Sequence, residues 1–337
     1  MRKILGIIFV MLMMGLSIIS LVTSALEPVV YRNTLHVNDD NIAGPWTGSE
    51  EYPYRLIQDA IDNASANDII LVANGTYYEH LIIPSNLIDL TIDYWNNNYG
   101  ELDDHGPKLI GDGTGTGISI FASSVKISRL EITNYGHEGR DACIYLDFDI
   151  DGAEISNNII SESYYGIWIK RDVPEETFHT IENNIIKNIS SRGICIILCD
   201  RNIIRGNTIQ NCTWGSYLHD CYKNTISNNF FSNNKHGLDI DIGMENNIEE
   251  NTFSNNVYGF GTIGTHSSTI KNNNFLGNTK TDAYFITFSI LNNDVWSGNY
   301  WGRPVFPLMK PIPGTFMIAK IDLPWIKFDL FPSQKQN

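Results

Sequence analysis

Positive charge is scarce in this chain. It has 23 Lys and Arg residues against 38 Asp and Glu residues, so its formal net charge is −15 at pH 7. Nucleic-acid binding needs clustered cations that neutralise phosphates. The composition therefore argues against a nucleic-acid partner, and it is compatible with a soluble protein in a salty or cation-rich medium.

Long apolar runs are also scarce, and the one of spanning length lies at the N-terminus. Ile4–Val22 follows Arg2 and Lys3 and ends before the small residues of the TSA stretch. This pattern predicts a secretory signal peptide, residues 1–25. Because the run is long for a signal, an uncleaved membrane anchor is the alternative. Both predict an extracytoplasmic protein, secreted or at the cell surface, that meets a membrane only through this segment.

A repeat fills most of the remaining chain, and repeats decide the fold before any local pattern does. Six copies of a short motif start at residues 155, 181, 204, 226, 248 and 270 and read ISNNII, IENNII, IRGNTI, ISNNFF, IEENTF and IKNNNF. A glycine follows five of them, at Gly166, Gly193, Gly215, Gly237 and Gly259. Apolar and polar residues alternate within each copy, which is the period of a strand.

A period of about 22 residues with several short strands selects one architecture. It is too short for a propeller blade, and it lacks the leucine pattern of leucine-rich repeats. It fits one coil of a right-handed parallel β-helix, an all-β solenoid in which each coil stacks on the previous one. We expect roughly ten coils within residues 26–301.

Asparagines recur at fixed places in the coils, and we interpret them as structural. One column is predicted to stack and hydrogen-bond from coil to coil, as in an Asn ladder: Asn158, Asn184, Asn207, Asn229, Asn251, Asn273 and Asn299. A second column suits bends, because Asn tolerates left-handed backbone angles: Asn134, Asn188, Asn211, Asn233 and Asn255.

The two ends of a solenoid need cover, since they are open edges. Residues 54–64 have apolar side chains at 56, 57, 60, 61 and 64, which predicts an N-terminal capping helix. Residues 302–337 hold six of the twelve prolines among interleaved aromatic residues. This predicts an irregular or mixed C-terminal cap.

These segments resemble a known superfamily. The stretch YRLIQDAIDNASANDIILVANGTYYEHLII, residues 54–83, looks like the entry of the pectin-lyase-like right-handed parallel β-helices. The repeats, with GNYWG at 298–302, are similar to NosD-like β-helix repeats of exported bacterial and archaeal proteins. The resemblance is specific for the fold and weak for function, because the superfamily includes lyases, hydrolases, esterases, epimerases and members without known activity.

Strand alternation after each glycine predicts outward columns that carry the candidate site. Rings and carboxylates that would bind a sugar lie at Tyr145, Asp147, Trp168 and Tyr217. The candidates for catalysis are Asp239, Asp241, His219 and Lys170. Outward strand positions also tolerate aromatic and charged residues without any function, so a structural interpretation stays open.

Two functional hypotheses follow from these residues. The leading one is an exported or cell-surface β-helix protein that binds a polysaccharide or surface glycan, or that serves as a structural module without catalysis. The alternative is a polysaccharide lyase or glycoside hydrolase that acts on acidic glycans. A hydrolase needs two carboxylates that flank a sugar bond, and a lyase of this superfamily would need several acids and a Lys, Arg or His base. Ca²⁺ is the cofactor that a lyase would use, and no other cofactor is evident. No strong catalytic signature of the superfamily is present.

Two further hypotheses concern sulfur and metal. Cys199 and Cys221 lie one coil apart in one column, at a spacing that suits a disulfide; a stacked pair of thiols is the alternative. A copper-related accessory role in metal-enzyme maturation is implied only by the NosD resemblance. The eight His are scattered and four of the seven Met lie in the signal, so the metal-site residues are left unassigned.

Overall fold

The computed structural model describes residues 32–95, 106–289, 292–302, 309–318 and 321–337. The predicted signal peptide, residues 1–25, lies outside these ranges. In the described ranges, no helix is long and apolar enough to cross a membrane.

Short parallel strands stack along three faces and confirm the predicted parallel β-helix. Face A consists of β4 (Leu81–Ile83), β7 (Ile118–Ile120), β10 (Ala142–Leu146), β13 (Tyr165–Glu176), β16 (Arg192–Asp200), β19 (Trp214–Tyr222), β22 (His236–Met244), β25 (Tyr258–Ile263) and β28 (Thr281–Thr287). Each strand of this face pairs in parallel with the strand one coil away.

The other two faces complete each coil. Face B consists of β1 (Thr34–Val37), β2 (Ile69–Ala73), β5 (Thr91–Trp95), β8 (Lys126–Ser128), β11 (Glu154–Ser156), β14 (Thr180–Glu182), β17 (Ile203–Arg205), β20 (Thr225–Ser227), β23 (Asn247–Glu249), β26 (Thr269–Lys271) and β29 (Val295–Ser297). Face C consists of β3 (Thr76–Tyr77), β6 (Lys108–Ile110), β9 (Glu131–Thr133), β12 (Ile159–Ser161), β15 (Ile185–Lys187), β18 (Thr208–Gln210), β21 (Phe230–Ser232), β24 (Thr252–Ser254) and β27 (Asn274–Leu276). The nine strands described on face C correspond to about nine turns, slightly fewer than predicted.

The core is built from columns of identical inward residues. Ile155, Ile181 and Ile204 occupy matching positions on successive coils of face B, and each is fully buried. Each such side chain contributes about 1.5–3 kcal/mol through burial. Toward the C-terminal end, aromatic side chains also fill the core, where Phe253 stacks on Phe275 with ring centroids 5.1 Å apart.

The first Asn column forms the predicted ladder. The backbone N–H and the side-chain amide of Asn207 both donate to Asn229 Oδ1, each at 3.0 Å. The same pattern runs from Asn158 to Asn299, and every member is buried.

The second Asn column instead lies at exposed bends: Asn188 and Asn233 both have φ of 56°. Two further buried ladders, which the repeat pattern did not reveal, run through Asn202, Asn224 and Asn246 and through Asn234, Asn256 and Asn278.

The N-terminal helix α1 spans Ile57–Asn63 and buries Ile57, Ala60 and Ile61. The Glu79 carboxylate accepts the N–H groups of Ile57 at 2.8 Å and Gln58 at 2.9 Å, which satisfies two donors of its first turn. The prediction that Leu56 belongs to the buried stripe is wrong, because Leu56 precedes the helix and is 43% exposed.

The C-terminal segment is more regular than predicted. Strands β30 (Met309–Ile318) and β31 (Ile321–Leu330) form an antiparallel hairpin. β30 also pairs with β28 and β31 with β29, so the hairpin lies on the last coil. Its prolines did not exclude strands, because Pro311, Pro313 and Pro324 lie where their strand pairs only with the other hairpin strand.

Candidate functional site

Three columns of outward side chains cross face A from β10 to β28, and we call them together the outer strip. The first column is Tyr165, Arg192, Trp214, His236 and Tyr258; the second is Tyr145, Trp168, Tyr217, Asp239 and Tyr284; the third is Asp147, Lys170, His219 and Asp241. The structure places every predicted catalytic and sugar-binding residue on this strip. Cys195 lies in register with the second column, between Trp168 and Tyr217, and is fully buried among the rings of Tyr165, Trp168 and Tyr217.

The sequence prediction missed the first column. Each of its residues immediately precedes a repeat glycine, where simple alternation places a side chain inward. The alternation is interrupted there because the backbones approach closely: a Cβ on Gly193 would lie 2.6 Å from Gly215 O. The available signal was an aromatic or cationic residue before each of the five glycines.

The rings of the first column stack on one another. His236 lies between Trp214 and Tyr258, with ring centroids 5.2 and 4.8 Å away. The Arg192 guanidinium covers the other face of Trp214 at 4.9 Å and lies 4.6 Å from the Tyr217 centroid. Both faces of Trp214 and of His236 are therefore covered. A ligand can contact only the edges and polar atoms of these two rings. Of the rings predicted to bind a sugar, Tyr217 has Arg192 over one face and Trp168 is 8% exposed.

Asp239 is a closed carboxylate. It is 7% exposed, and it accepts hydrogen bonds from Trp214 Nε1 and from the Tyr284 hydroxyl, both at 3.1 Å. His236 Nδ1 lies 2.9 Å from Asp239 Oδ2 without the alignment of a hydrogen bond. Tyr284 reaches Asp239 across Gly261, where a Cβ would lie 2.5 Å from Asp239 Oδ1. Asp239 therefore links the side chains of Trp214 and Tyr284 within the strip.

Asp241 is the more accessible carboxylate, and it has a different set of partners. Its Oδ2 accepts a hydrogen bond from the Tyr217 hydroxyl at 3.2 Å and lies 3.1 Å from His219 Nδ1. The side chains of Asp241 and His219 are 25% and 36% exposed. Because the Tyr217 proton goes to Asp241, this trio offers a ligand the oxygens of Tyr217 and Asp241 as acceptors, beside the His219 ring.

Lys170 is separated from the other predicted catalytic residues. It lies on β13, three strands from Asp241 on β22, a distance of roughly 14 Å at ~4.8 Å per strand. Its Nζ is 3.8 Å from Asp172 Oδ1. Near it, the Tyr145 hydroxyl donates to Asp147 Oδ1 at 2.8 Å, and Tyr145 packs on Trp168.

Raised pKa values hold the hydroxyls of Tyr145, Tyr217 and Tyr284 protonated. Burial, and then the Asp241 carboxylate, raises the pKa of Tyr217. Burial, and then Asp239, raises the pKa of Tyr284, and burial with Asp147 does the same for Tyr145. These groups are hydrogen-bond donors at neutral pH. They are poorly suited to remove a proton from a substrate.

The five cysteines are free and buried. Burial raises the pKa of Cys199 to about 12, and the pKa of Cys221 is raised as well. The Cys199 Sγ lies 3.1 Å from Ile197 O, and the Cys221 Sγ lies 3.2 Å from His219 O. The structure thus shows the thiol alternative, and the Cys199–Cys221 disulfide stays a prediction for the exported chain.

Metal-ligating side chains do not converge in the part of the chain that the structure describes. No group of three or more His, Cys, Asp or Glu residues is placed to hold an ion there. On the outer strip, the carboxylates of Asp147, Asp239 and Asp241 already accept tyrosine hydroxyls.

The comparisons with known proteins give a family and a fold. Residues 96–305, more than half of the chain, match the model of a family described as "Periplasmic copper-binding protein (NosD)". No curated protein matches the sequence significantly.

Three solved structures illustrate the fold likeness. The complex of XylC with xylose has a TM-score of 0.58 at 13% identity, over 88% of this chain and 73% of that one. The enzymatically active domain of bacteriophage CBA120 tailspike protein 2 gives a TM-score of 0.48 at 10% identity, over 86% and 57%. Pectin methylesterase PemA from Erwinia chrysanthemi gives 0.40 at 13% identity, over 83% and 92%. At these identities the likeness concerns the fold alone.

Proposed function

The chain belongs to the NosD family of periplasmic β-helix proteins, and on that premise we propose that it is an extracytoplasmic glycan-binding protein that takes a saccharide chain along the outer strip. The observation that carries the proposal is the row of polar edge groups on a rigid ladder of rings. The seven strands from β10 to β28 span ~29 Å at ~4.8 Å per strand. A chain lying along the coil axis would meet a new set of donors and acceptors at each coil.

The chemistry of these groups suits sugar hydroxyls. Asp241 supplies carboxylate acceptors, the Tyr217 hydroxyl oxygen accepts as well because its proton goes to Asp241, and Arg192 supplies a fixed cationic donor. A saccharide hydroxyl both donates and accepts, so it can bridge such mixed groups. Because the rings are already packed against one another, little conformational entropy is lost when a ligand binds.

A hydrolase or lyase activity gains less support from this arrangement. Asp239 is closed by three aromatic partners, and Lys170 lies three strands away from Asp241. The raised tyrosine pKa values also disfavour a tyrosine base. Ca²⁺ binding at the strip would require the carboxylates to release their tyrosine donors.

The copper chemistry that the family description implies does not fit the residues that the structure describes. Copper sites favour converging His, Met and Cys ligands. His236 is enclosed by Trp214 and Tyr258, and His219 is paired with Asp241. The cysteines are buried with raised pKa values, which disfavours the thiolate that a metal needs. We therefore derive no step that involves copper.

A glycan array probed with the exported chain tests the proposal, followed by calorimetry on the ligands that it identifies. Tyr217→Phe and Asp241→Asn are expected to weaken binding about tenfold or more, because each removes a hydrogen bond at the strip. Tyr222→Phe is the matched control: it lies on β19 as Tyr217 does, but its hydroxyl donates to Asp220 outside the strip.

Two results would contradict the proposal. One is an array without any bound glycan, which favours a purely structural module. The other is a bound glycan whose affinity is unchanged in Tyr217→Phe and Asp241→Asn. A copper titration of the same chain that gives tight stoichiometric binding would favour the metal-related role of the family instead.

A further inference from the structure

Charge is segregated along the outer strip. Two arginines lie toward its N-terminal end: the Arg140 guanidinium is 5.9 Å from the Trp168 ring, and Arg192 lies over Tyr217 and Trp214. The two carboxylates Asp239 and Asp241 lie toward the C-terminal end. Toward the N-terminal end, Asp147 accepts the Tyr145 hydroxyl and Asp172 lies 3.8 Å from Lys170, so that end holds the three cations Arg140, Lys170 and Arg192 beside two acids. We call it the cationic half, and we call the half with Asp239 and Asp241 the acidic half.

The arginines of the cationic half differ from others in the chain. Arg129, Arg171, Arg201 and Arg205 each have a carboxylate partner, and Arg55, for which no ion pair is seen in the described residues, is exposed. Among the described residues, Arg140 and Arg192 make no ion pair and lie against aromatic rings instead. Arg192 donates to the Tyr165 hydroxyl at 3.2 Å, and its Nε is buried without a hydrogen-bond partner in this part of the structure.

A guanidinium held in this way is suited to an anionic ligand group. Aromatic faces stabilise the cation only partly. A carboxylate or sulfate accepts charge-assisted hydrogen bonds from the guanidinium. In a chain of net charge −15, a cation without a carboxylate partner inside the candidate site is the clearest sign of what the ligand carries.

The acidic half imposes the opposite requirement. An anionic group beside Asp241 would meet a like charge in a half-buried site, which is unfavourable. A neutral sugar would instead place hydroxyls against Asp241, His219 and Tyr217. Arg192 on β16 and Asp241 on β22 are two strands apart, ~10 Å at ~4.8 Å per strand, so one short oligosaccharide spans both.

We propose that the outer strip selects a mixed-charge glycan, in which an anionic sugar lies over Arg192 while a neutral sugar lies beside Asp241. This inference rests on the proposed glycan binding and adds the substrate class. A glycan with a charge on every residue fits one half and is repelled by the other. A neutral glycan leaves Arg192 without an anion.

Calorimetry with three probes of equal length tests the selection. They are a hyaluronan oligosaccharide, in which glucuronate and N-acetylglucosamine alternate, an oligogalacturonate, which is charged at every residue, and a neutral chitin oligosaccharide. The alternating probe is expected to bind at least about tenfold more tightly than the other two at low salt. Added salt should reduce this advantage.

Substitutions at Arg192 and at Asp241 should each reduce the preference for the alternating probe, but through different probes. Arg192→Met keeps an apolar stem against the rings and should lower the affinity for the alternating probe about tenfold, to that of the neutral probe. Arg192→Lys should restore part of the loss. Asp241→Asn should tighten binding of the fully charged probe. Arg205→Met, which removes a paired arginine on face B, is the control and should change none of these affinities.

The outcomes separate this inference from the proposed function. Equal binding of the neutral and alternating probes, or an unchanged preference in Arg192→Met, overturns the mixed-charge selection and leaves glycan binding intact. Binding of the fully charged probe more tightly than the alternating one also overturns it. If no probe binds and the glycan array is blank, both proposals fail. Thermal unfolding of each variant shows whether a loss reflects misfolding.

Discussion

Asn299 donates its backbone N–H to the Asp329 carboxylate at 3.2 Å, and this hydrogen bond ends the main Asn ladder on the C-terminal hairpin. Trp301 Nε1 donates to the same Oδ2 at 2.7 Å. Asp329 is fully buried, and its Oδ1 has no hydrogen-bond partner in the described structure. The main Asn ladder thus ends at a single buried acid of the hairpin that covers the last coil.

Burial raises the pKa of Asp329 from 3.8 to about 6, although hydrogen bonds from Trp301 and Asn299 oppose the shift. The folded chain keeps this proton at a pH where the unfolded chain has lost it. The stability that this group contributes is therefore fully present below pH ~3.8 and is lost as the pH rises through about 6.

Asp329→Asn removes this titration while it keeps a hydrogen-bond acceptor. We expect the variant to be more stable relative to wild type at pH 8 than at pH 4. The difference between the two free energies of unfolding should be about 1–2 kcal/mol larger at pH 8. Urea unfolding of both proteins at the two pH values measures this difference. Asp322→Asn, an exposed position of the same hairpin, is the control. An equal effect of Asp329→Asn at both pH values would exclude a protonated Asp329.

The Asn ladder should dominate the stability of the coils. Asn229 accepts from the backbone and side chain of Asn207 and donates to Ile204 O, Ser227 O and Asn251 Oδ1. Asn229→Ala leaves several buried groups without partners, so we expect a loss of about 2–5 kcal/mol in the free energy of unfolding. Chemical denaturation measures it.

The matched control for the ladder is Asn233→Gly, because Asn233 is an exposed asparagine of the same repeat with φ of 56°. Glycine adopts that angle readily, so the change should stay within about 0.5 kcal/mol. Comparable losses at Asn229 and Asn233 would show that the two Asn columns are energetically alike, contrary to the structure.

The repeat predicted the parts of this molecule that recur from coil to coil. The ladder from Asn158 to Asn299 and the inward isoleucines follow from period and alternation alone, because stacking puts equal positions in contact. Asp329 was not predictable in this way. It lies outside the repeat, and only the path of the hairpin brings it to Asn299.

The site was predicted in part for a similar reason. Alternation located Tyr217, His219, Asp239 and Asp241 on one outward surface. It failed at Trp214 and His236, because the close backbone approach at each glycine interrupts the strand period. No local pattern showed that Asp239 is the buried carboxylate of the strip. Its burial depends on Tyr284, which lies 45 residues further along the chain and reaches Asp239 across Gly261.

Thiol chemistry should distinguish the two states of Cys199 and Cys221. Burial raises the pKa of Cys143, Cys195, Cys199 and Cys212 to about 12, so few thiolates exist at pH 8. We expect an alkylating reagent to modify the native chain only as fast as it unfolds. Unfolding without reductant then exposes three thiols if the predicted disulfide has formed and five if it has not, and peptide mapping identifies the pair.

The two carboxylates of the strip should respond differently to removal of their charge. Asp239 is buried and bonded to Trp214 and Tyr284, so Asp239→Asn should destabilise the fold by about 1–3 kcal/mol and change the fluorescence of Trp214. Asp241 is more exposed, so Asp241→Asn should leave the free energy of unfolding within about 0.5 kcal/mol and should act on ligand binding instead. Denaturation, fluorescence and calorimetry on both variants check this. Equal stability of the two variants, with equal losses of binding, would mean that Asp239 contacts the ligand directly and that its closed geometry opens in solution.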